Sequence, residues 1–308
     1  MAEYALRPLS LGELLDRAFT IFRSRFGAIM LVLVACLAAP VLMVLNSLST
    51  FAAMSTFAES GKTPEAQAQE MFAYFGKFAL IGLVVAVAML VARTALGWIA
   101  HKAMRGEEAS VGDAFAEGFR RFFPMLGLLI IEAVIIVVVE IVLYIPVVIF
   151  GAGSALSGAT PGVGFGVGVF AWLIAYFIAI LYLFASLFVT TAALIVEPDA
   201  TVFKALDRSW TLTKGRRWQI MGAMVLIYIL VWIVLMGAAI TVGVGAGLAG
   251  RGPESAAGWV IGLVGIAALF GLVVYGFYFV LQMVTYYDLR VRKEGLDLEL
   301  ASAAIPDA

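Results

Sequence analysis

The sequence predicts an all-α fold: a polytopic membrane helical bundle with six transmembrane helices, built as three repeats of an interfacial helix plus a transmembrane hairpin. Three observations predict it. Of the 308 residues, 63% are hydrophobic and only 13% charged, whereas a soluble domain carries about 45 to 50% apolar and about 25% charged residues. The apolar residues fall in six long runs, and a short amphipathic segment of matching pattern stands before every second run. One water-soluble core cannot hide so much apolar surface. Residues 1–308 therefore read as a single integral membrane domain, with no stretch left over for a separate soluble catalytic domain.

The spans come first. A helix needs about 20 apolar residues to cross the hydrocarbon core. Six stretches qualify, near residues 27–52, 78–100, 123–150, 166–196, 218–248 and 258–287. Lys and Arg are retained on the cytoplasmic side of a span. Arg7, Arg17, Arg23 and Arg25 precede the first span, and Lys102, Arg105, Arg120 and Arg121 separate the second from the third. Lys204, Arg208, Lys214, Arg216 and Arg217 separate the fourth from the fifth, and Arg290, Arg292 and Lys293 follow the sixth. The opposite loops, around 59–77, 151–164 and 250–257, hold only Lys62, Lys77 and Arg251. Both termini are thus expected in the cytoplasm, with 288–308 a cytoplasmic tail. Leu33-Val34-Ala35-Cys36 also fits a lipoprotein cleavage site, but the apolar run continues past Cys36, and the first span is taken as retained.

The interfacial helices come next. Ser10 to Phe19, Ser110 to Phe119 and Thr201 to Trp210 align without a gap. Each begins with a helix N-cap residue, and the first two place a carboxylate, Glu13 or Asp113, three residues on. Leu11, Leu14, Leu15, Ala18, Phe19, Phe22 and Phe26 follow the spacing of one helical face, as Val111, Ala114, Phe115, Gly118, Phe119, Phe122 and Phe123 do in the second segment. Glu13, Asp16, Arg17 and Arg23, and then Asp113, Glu117, Arg120 and Arg121, take the other side, as in helices that lie in the membrane interface. All three segments set a small residue (Ala18, Gly118, Ser209) before an aromatic one (Phe19, Phe119, Trp210). This predicts internal repeats at 10–100, 110–196 and 201–287 that share one orientation about a pseudo-threefold axis.

The opening Arg7-Pro8-Leu9-Ser10-Leu11-Gly12-Glu13-Leu14-Leu15-Asp16, the pairs Glu197-Pro198 and Arg208-Ser209-Trp210, and the closing Tyr286-Tyr287-Asp288-Leu289-Arg290-Val291-Arg292-Lys293-Glu294-Gly295-Leu296-Asp297-Leu298 carry a resemblance. Over essentially the whole chain it resembles the glycerophosphoryl diester phosphodiesterase membrane-domain family, a bacterial domain fused ahead of some of those enzymes and also found as stand-alone multi-span proteins. The resemblance implies a bacterial inner (cytoplasmic) membrane. The enzymes use a His-Arg-Gly motif. Here the one histidine, His101, is followed by Lys102 and Ala103, so the activity does not carry over with the likeness.

Candidate chemistry is sparse. One cysteine, Cys36, excludes an internal disulfide, and one histidine excludes a multi-histidine metal site. No Ser-His-Asp set or cysteine-histidine pair is available, so neither catalysis nor a cofactor is expected. The intramembrane charged residues are Arg93, Glu132 and Glu140. An ionisable group at bilayer depth costs several kcal/mol unless it is paired or hydrated, so they mark either a solute path or a structural pair. The depths of Arg93 and Glu132, about 12 and 15 Å from one edge, suit mutual pairing. Gly245, Gly247 and Gly250 match a dinucleotide spacing but lack the strand that such a loop follows. Gly162 and Gly166, Gly164 and Gly168, Gly243 and Gly247, and Gly258 and Gly262 repeat at the spacing used for close helix approach in lipid. Pro40 and Pro146 predict kinks within spans.

Arg23 and Arg25, Arg120 and Arg121, and Arg216 and Arg217 sit in aromatic-flanked clusters suited to lipid head-group contact, with membrane lipids, anionic ones above all, as partners. The clusters also serve topology signalling, and none points to nucleic acid. The reading is a non-enzymatic multi-pass inner-membrane module that contacts lipids or organises a membrane partner. The alternative is a transporter or channel for a small solute or lipid, using Glu132 and Arg93.

Overall fold

The computed structural model describes residues 7–47, 63–157, 163–197, 199–248 and 253–296, and among these it is all-α. The helices are α1 (Leu11–Ser24), α2 (Phe26–Leu45), α3 (Pro64–Met104), α4 (Val111–Arg120) and α5 (Phe122–Ser157). They continue as α6 (Val163–Ser186), α7 (Thr190–Val196), α8 (Val202–Thr213), α9 (Arg217–Leu248) and α10 (Pro253–Glu294). Six stretches of helix are long and apolar enough to cross a membrane, and they coincide with the six expected spans. Two compact units emerge. One holds Ala18–Phe122 and Ala268–Leu281, and the other holds Ala5–Arg17, Phe123–Ala267 and Gln282–Ala308.

The helix starts follow from local chemistry. Ser10 Oγ accepts the Glu13 N–H at 3.3 Å and the Ser10 N–H donates to Glu13 Oε2 at 2.8 Å, so the capping box of α1 is closed on both sides. Ser110 Oγ accepts from the Asp113 N–H at 3.0 Å, and Thr201 Oγ1 from the Lys204 N–H at 3.3 Å. All three expected N-caps are in place. In each of these helices the small residue is buried and the aromatic after it is exposed: Phe19 by 56%, Phe119 by 66% and Trp210 by 47%. Phe19 and Phe119 therefore do not share the buried face with Ala18 and Gly118, where the periodicity places them, and Trp210 likewise stands off the buried Ser209. Glu117 also departs from expectation, because it is buried rather than on the charged face.

In the first unit α2 packs along α3, and α3 against α4. Close approach marks the contact of α4 with α3 and that of α10 with α1 and α2. A Cβ at Gly118 would stand 3.0 Å from Val91 Cγ1 and 3.1 Å from the Val91 carbonyl oxygen. A Cβ at Gly276 would fall 2.7 Å from Ile29 Cγ2 and 3.3 Å from Phe22 Cε2. Of the expected four-residue glycine runs, Gly166, Gly168 and Gly243 behave otherwise, since an added Cβ there meets nothing within 4 Å, while Gly162, Gly164, Gly247, Gly258 and Gly262 lie outside the residues whose surroundings are described.

Four boundaries differ from the sequence reading. Helix α3 starts at Pro64, not near 78, because Thr63 caps it by accepting the Ala66 N–H and Pro64 takes the first-turn position. The residues that follow, Glu65, Ala66, Gln67, Ala68, Gln69 and Glu70, are good helix formers that need no long apolar run. Helices also extend through 151–157 and from 253, inside expected loops, while 158–162 and 249–252 lie outside the described residues. Finally, the fourth span is not continuous: α6 stops at Ser186 and α7 begins at Thr190.

That break, in the second unit, is stabilised by side chains. The Thr190 N–H turns to the Leu187 carbonyl at 3.2 Å, which leaves the Ser186 carbonyl without its usual helical donor. Ser209 Oγ donates to it at 2.8 Å, and Thr213 Oγ1 stands 3.3 Å away. The hydroxyls of α8 thus replace a backbone bond of α6, and α7 packs on α8.

Candidate functional site

The residues of the opening, middle and closing motifs meet in the second unit. Tyr286, Arg290 and Glu294 are spaced four apart and share one face of α10. Arg208 of α8 donates through Nε to Glu197 Oε1 at 2.5 Å and pairs through Nη1 with Glu294. Arg290 Nε reaches Glu294 Oε2 at 2.8 Å, and the hydroxyl of buried Tyr286 donates to Glu197 Oε1 at 2.9 Å. Burial works against the charge of Arg208, but the bonds from Glu294 and Glu197 outweigh it and raise its pKa further.

On the adjacent face of α10, Asp288 and Arg292 hold one residue from near the other end of the chain. Asp288 Oδ1 accepts the Leu9 N–H at 2.7 Å, Arg292 Nη2 donates to the Leu9 carbonyl, and Arg292 Nε bonds to Asp288 Oδ2 at 2.9 Å. Every carboxylate in these two networks is matched by a guanidinium. Their chemistry is that of a clamp on helix ends, and the sequence motifs gave no sign of these partners because the paired residues lie up to 283 positions apart.

The intramembrane carboxyl groups of α5 each have a hydroxyl partner. The Thr190 hydroxyl lies 2.6 Å from Glu132 Oε1, and the Tyr176 hydroxyl donates to Glu140 Oε2 at 2.6 Å. Arg93 lies in α3 of the first unit, within electrostatic reach of Tyr275, whose hydroxyl stands 3.5 Å from the Met89 carbonyl one turn earlier. Arg93 and Glu132 thus belong to different units, and the contacts named here lie within each.

The six arginines expected at lipid head groups differ from one another. Arg23 and Arg216 are exposed, and Arg216 Nη1 donates to Gln219 Oε1 at 2.7 Å. Arg25 Nη2 donates to the Glu107 carbonyl at 3.2 Å. Arg120 and Arg121 both pair with Glu117, Arg120 at 2.6 Å and with its own side chain largely exposed. Burial raises the pKa of Glu117, and the bonds from the two arginines reverse that and lower it. Beside them opens a cleft of about 450 Å³ lined by Trp98, Lys102, Asp113, Glu117 and Arg120. Arg217 departs most from the expected role. It is only 6% exposed, with its guanidinium 4.0 Å from the Trp210 ring centroid and 4.9 Å from that of Tyr182. Its Nη1 donates to the Tyr182 hydroxyl at 2.7 Å and its Nη2 to the Trp210 carbonyl at 3.2 Å. Among the described residues no group of three His, Cys, Asp or Glu side chains is placed to hold a metal ion.

These features define an all-helical protein with six helices fit to cross a membrane and charge clusters gathered at helix ends. The chain belongs to the family described as Domain of unknown function (DUF7847), whose model matches residues 9–289. That match begins at the clamped Leu9 and ends one residue beyond the clamping Asp288. No curated protein and no solved structure matches the chain.

Proposed function

We propose that this protein is a non-enzymatic multi-pass module of a bacterial inner membrane, with both termini cytoplasmic, that contacts anionic lipids at its interfacial helices or organises a membrane partner there. The observation that carries the reading is the pattern at α1, α4 and α8: a buried small residue, an exposed aromatic, and basic residues within a turn or two, of which Arg23, Arg120 and Arg216 are exposed. Aromatic rings beside cations suit the boundary between acyl chains and head groups. The likeness to stand-alone members of the phosphodiesterase membrane-domain family supports the same reading, as does the threefold recurrence of the pattern, taken here as a duplication of the units 10–100, 110–196 and 201–287.

The test is lipid analysis of the full chain extracted in native membrane discs, together with a variant in which Phe19, Phe119 and Trp210 are all changed to serine. Anionic lipids are expected to be enriched around the wild-type chain relative to the bulk membrane. The variant is expected to lose that enrichment, and Phe19→Ser with Phe119→Ser alone, which keeps the Trp210 ring against Arg217, is expected to lose most of it with a melting temperature within a few degrees of the wild type. Equal lipid composition around both proteins and in the bulk would sink the proposal.

A second reading, transport of a small solute or lipid, draws support from Glu132 and Glu140 on one helix at membrane depth. Each meets a hydroxyl on another helix, Thr190 of α7 or Tyr176 of α6, which serves a buried structural role equally well. Proton or solute flux in vesicles that disappears in Glu132→Gln would favour transport over the module.

A further inference from the structure

The charge clusters of the second unit fall into two kinds. Arg208, Arg290 and Arg292 are each matched by Glu197, Glu294 or Asp288. Lys214, Arg216, Arg217 and Lys293 are not: among the described residues none of the four has a carboxylate partner. Arg216 bonds to the neutral Gln219, and Lys293 Nζ donates to the Thr211 carbonyl at 2.6 Å. The positive charges of Lys214 and Arg217 both act on Lys293, so these cations stand close enough to repel one another.

Arg217 adds an independent sign. Its guanidinium is withdrawn from solvent between two aromatic rings, its two bonds go to a neutral hydroxyl and a neutral carbonyl, and its buried Nε has no acceptor. A desolvated charge with only neutral partners is costly unless a counter-charge lies near. Lys214, Arg216 and Arg217 also occupy the turn into α9, a helix of 32 residues, where the dipole adds partial positive charge. Trp218, next in sequence, is exposed, as Lys214, Arg216 and Lys293 are.

We propose that Lys214, Arg216 and Lys293 form a binding site for the phosphate group of an anionic lipid head group, with the buried charge of Arg217 holding the local potential positive. The three exposed side chains supply the direct contacts, Trp218 lies against the adjoining acyl region, and Arg217 is a positioning residue. The site rests on the lipid-contacting reading above and narrows it to one place and one chemistry. A compensating anion there explains why four cations gather without carboxylates, while their neighbours on the same helices are matched one for one.

The test titrates the purified full chain with phosphatidylglycerol, with phosphatidylcholine and with inorganic phosphate, and measures lipid retention by native mass spectrometry. The variants are K214Q/R216Q/K293Q and, as a control at the other basic clusters, R23Q/R120Q. Arg217 is left intact because its removal would disturb the packing of Tyr182 and Trp210. The triple variant is expected to lose phosphatidylglycerol affinity by at least about tenfold, given the contribution of each charge near an anionic head group, with an unchanged melting temperature. The control, which removes cations that the lipid-contacting reading also uses, is expected to weaken binding a few-fold at most, well short of the loss in the triple variant. If the triple variant proves unstable, K214Q and K293Q singly are each expected to weaken binding a few-fold. Loss in the control and not in the triple variant would overturn this site and leave the lipid-contacting reading standing. Wild-type binding of phosphatidylglycerol no tighter than phosphatidylcholine would overturn both. Phosphate competing as tightly as the lipid would overturn the lipid as the source of the anion.

Discussion

The Asp288 carboxylate accepts the Leu9 backbone N–H at 2.7 Å across 279 residues of sequence, and both residues are buried. Asp288→Ala removes that acceptor and the partner of Arg292 together. A buried donor left unmatched costs about 1 to 3 kcal/mol, so a clear fall in melting temperature and faster proteolysis near Leu9 are expected. Asp288→Asn keeps the acceptor for Leu9 and loses the ion pair and the acceptor for Arg292 Nε, so its loss should be smaller than that of Asp288→Ala. Equal effects of the two substitutions would show that the Leu9 bond contributes nothing.

Gly276 and Gly237 make a matched pair of helical glycines with opposite expectations. At Gly276 a methyl would overlap the buried Ile29, whose branched side chain has little freedom to move. Gly276→Ala should therefore cost about 1 to 3 kcal/mol. At Gly237 nothing lies within 4 Å, and Gly237→Ala should leave stability unchanged or raise it by up to about 1 kcal/mol through helix propensity alone. Thermal melts of the two variants in one detergent check the sign of each.

Acid should weaken the interfacial helices in a defined window. The Ser10 N–H, with the Arg7 guanidinium, lowers Glu13 from 4.5 to about 2, and Arg120 and Arg121 lower Glu117 against the opposing effect of burial. A carboxyl whose folded pKa is depressed stabilises fully above its unfolded value and loses that contribution as pH falls through the folded one. Melting temperature should hold from neutral pH down to about 4.5 and decline below it. Glu117→Gln should start lower at pH 7 and show a shallower decline. A variant with the full wild-type decline would remove Glu117 from the account.

Orientation is checked by single cysteines in a Cys36→Ser background. Gly61→Cys and Glu107→Cys lie on opposite sides of the second span, and an impermeant thiol reagent applied from outside should label the first and spare the second. Labelling of both from the same side would remove the assignment of the termini to the cytoplasm.

The features legible in the sequence were those set within one or two helical turns. Ser10, Ser110 and Thr201 announced their helices because a cap needs only a hydroxyl and a backbone N–H three residues on. The six spans were legible because bilayer thickness sets a length that composition alone can meet. The break after Ser186 was not, since Ser186-Leu187-Phe188-Val189 holds neither Gly nor Pro and the hydroxyls that stabilise it come from Ser209 and Thr213. The burial of Glu117 was hidden for a related reason: Arg120 and Arg121 fold back over it, so a carboxylate that looks solvent-facing by period is enclosed. Close approach was misplaced as well. Among the described glycines it occurs at the isolated Gly118 and Gly276 and not at Gly166, Gly168 or Gly243, because the facing side chain, not the glycine spacing, decides whether two backbones can meet.

The three residues between Ser186 and Thr190 divide the fourth apolar stretch into two rigid rods joined by a pinned joint. Hydrocarbon offers no hydrogen bonds, so a chain can bend inside it only where something other than water takes the released carbonyl. Ser209 and Thr213 are that pin, and their positions on α8 fix where the joint lies. A displacement of α8 therefore reaches α6 through the hydroxyls on the Ser186 carbonyl as well as through side-chain packing, and Ser209→Ala, which leaves Thr213 Oγ1 at 3.3 Å from that oxygen, would loosen the joint without releasing it.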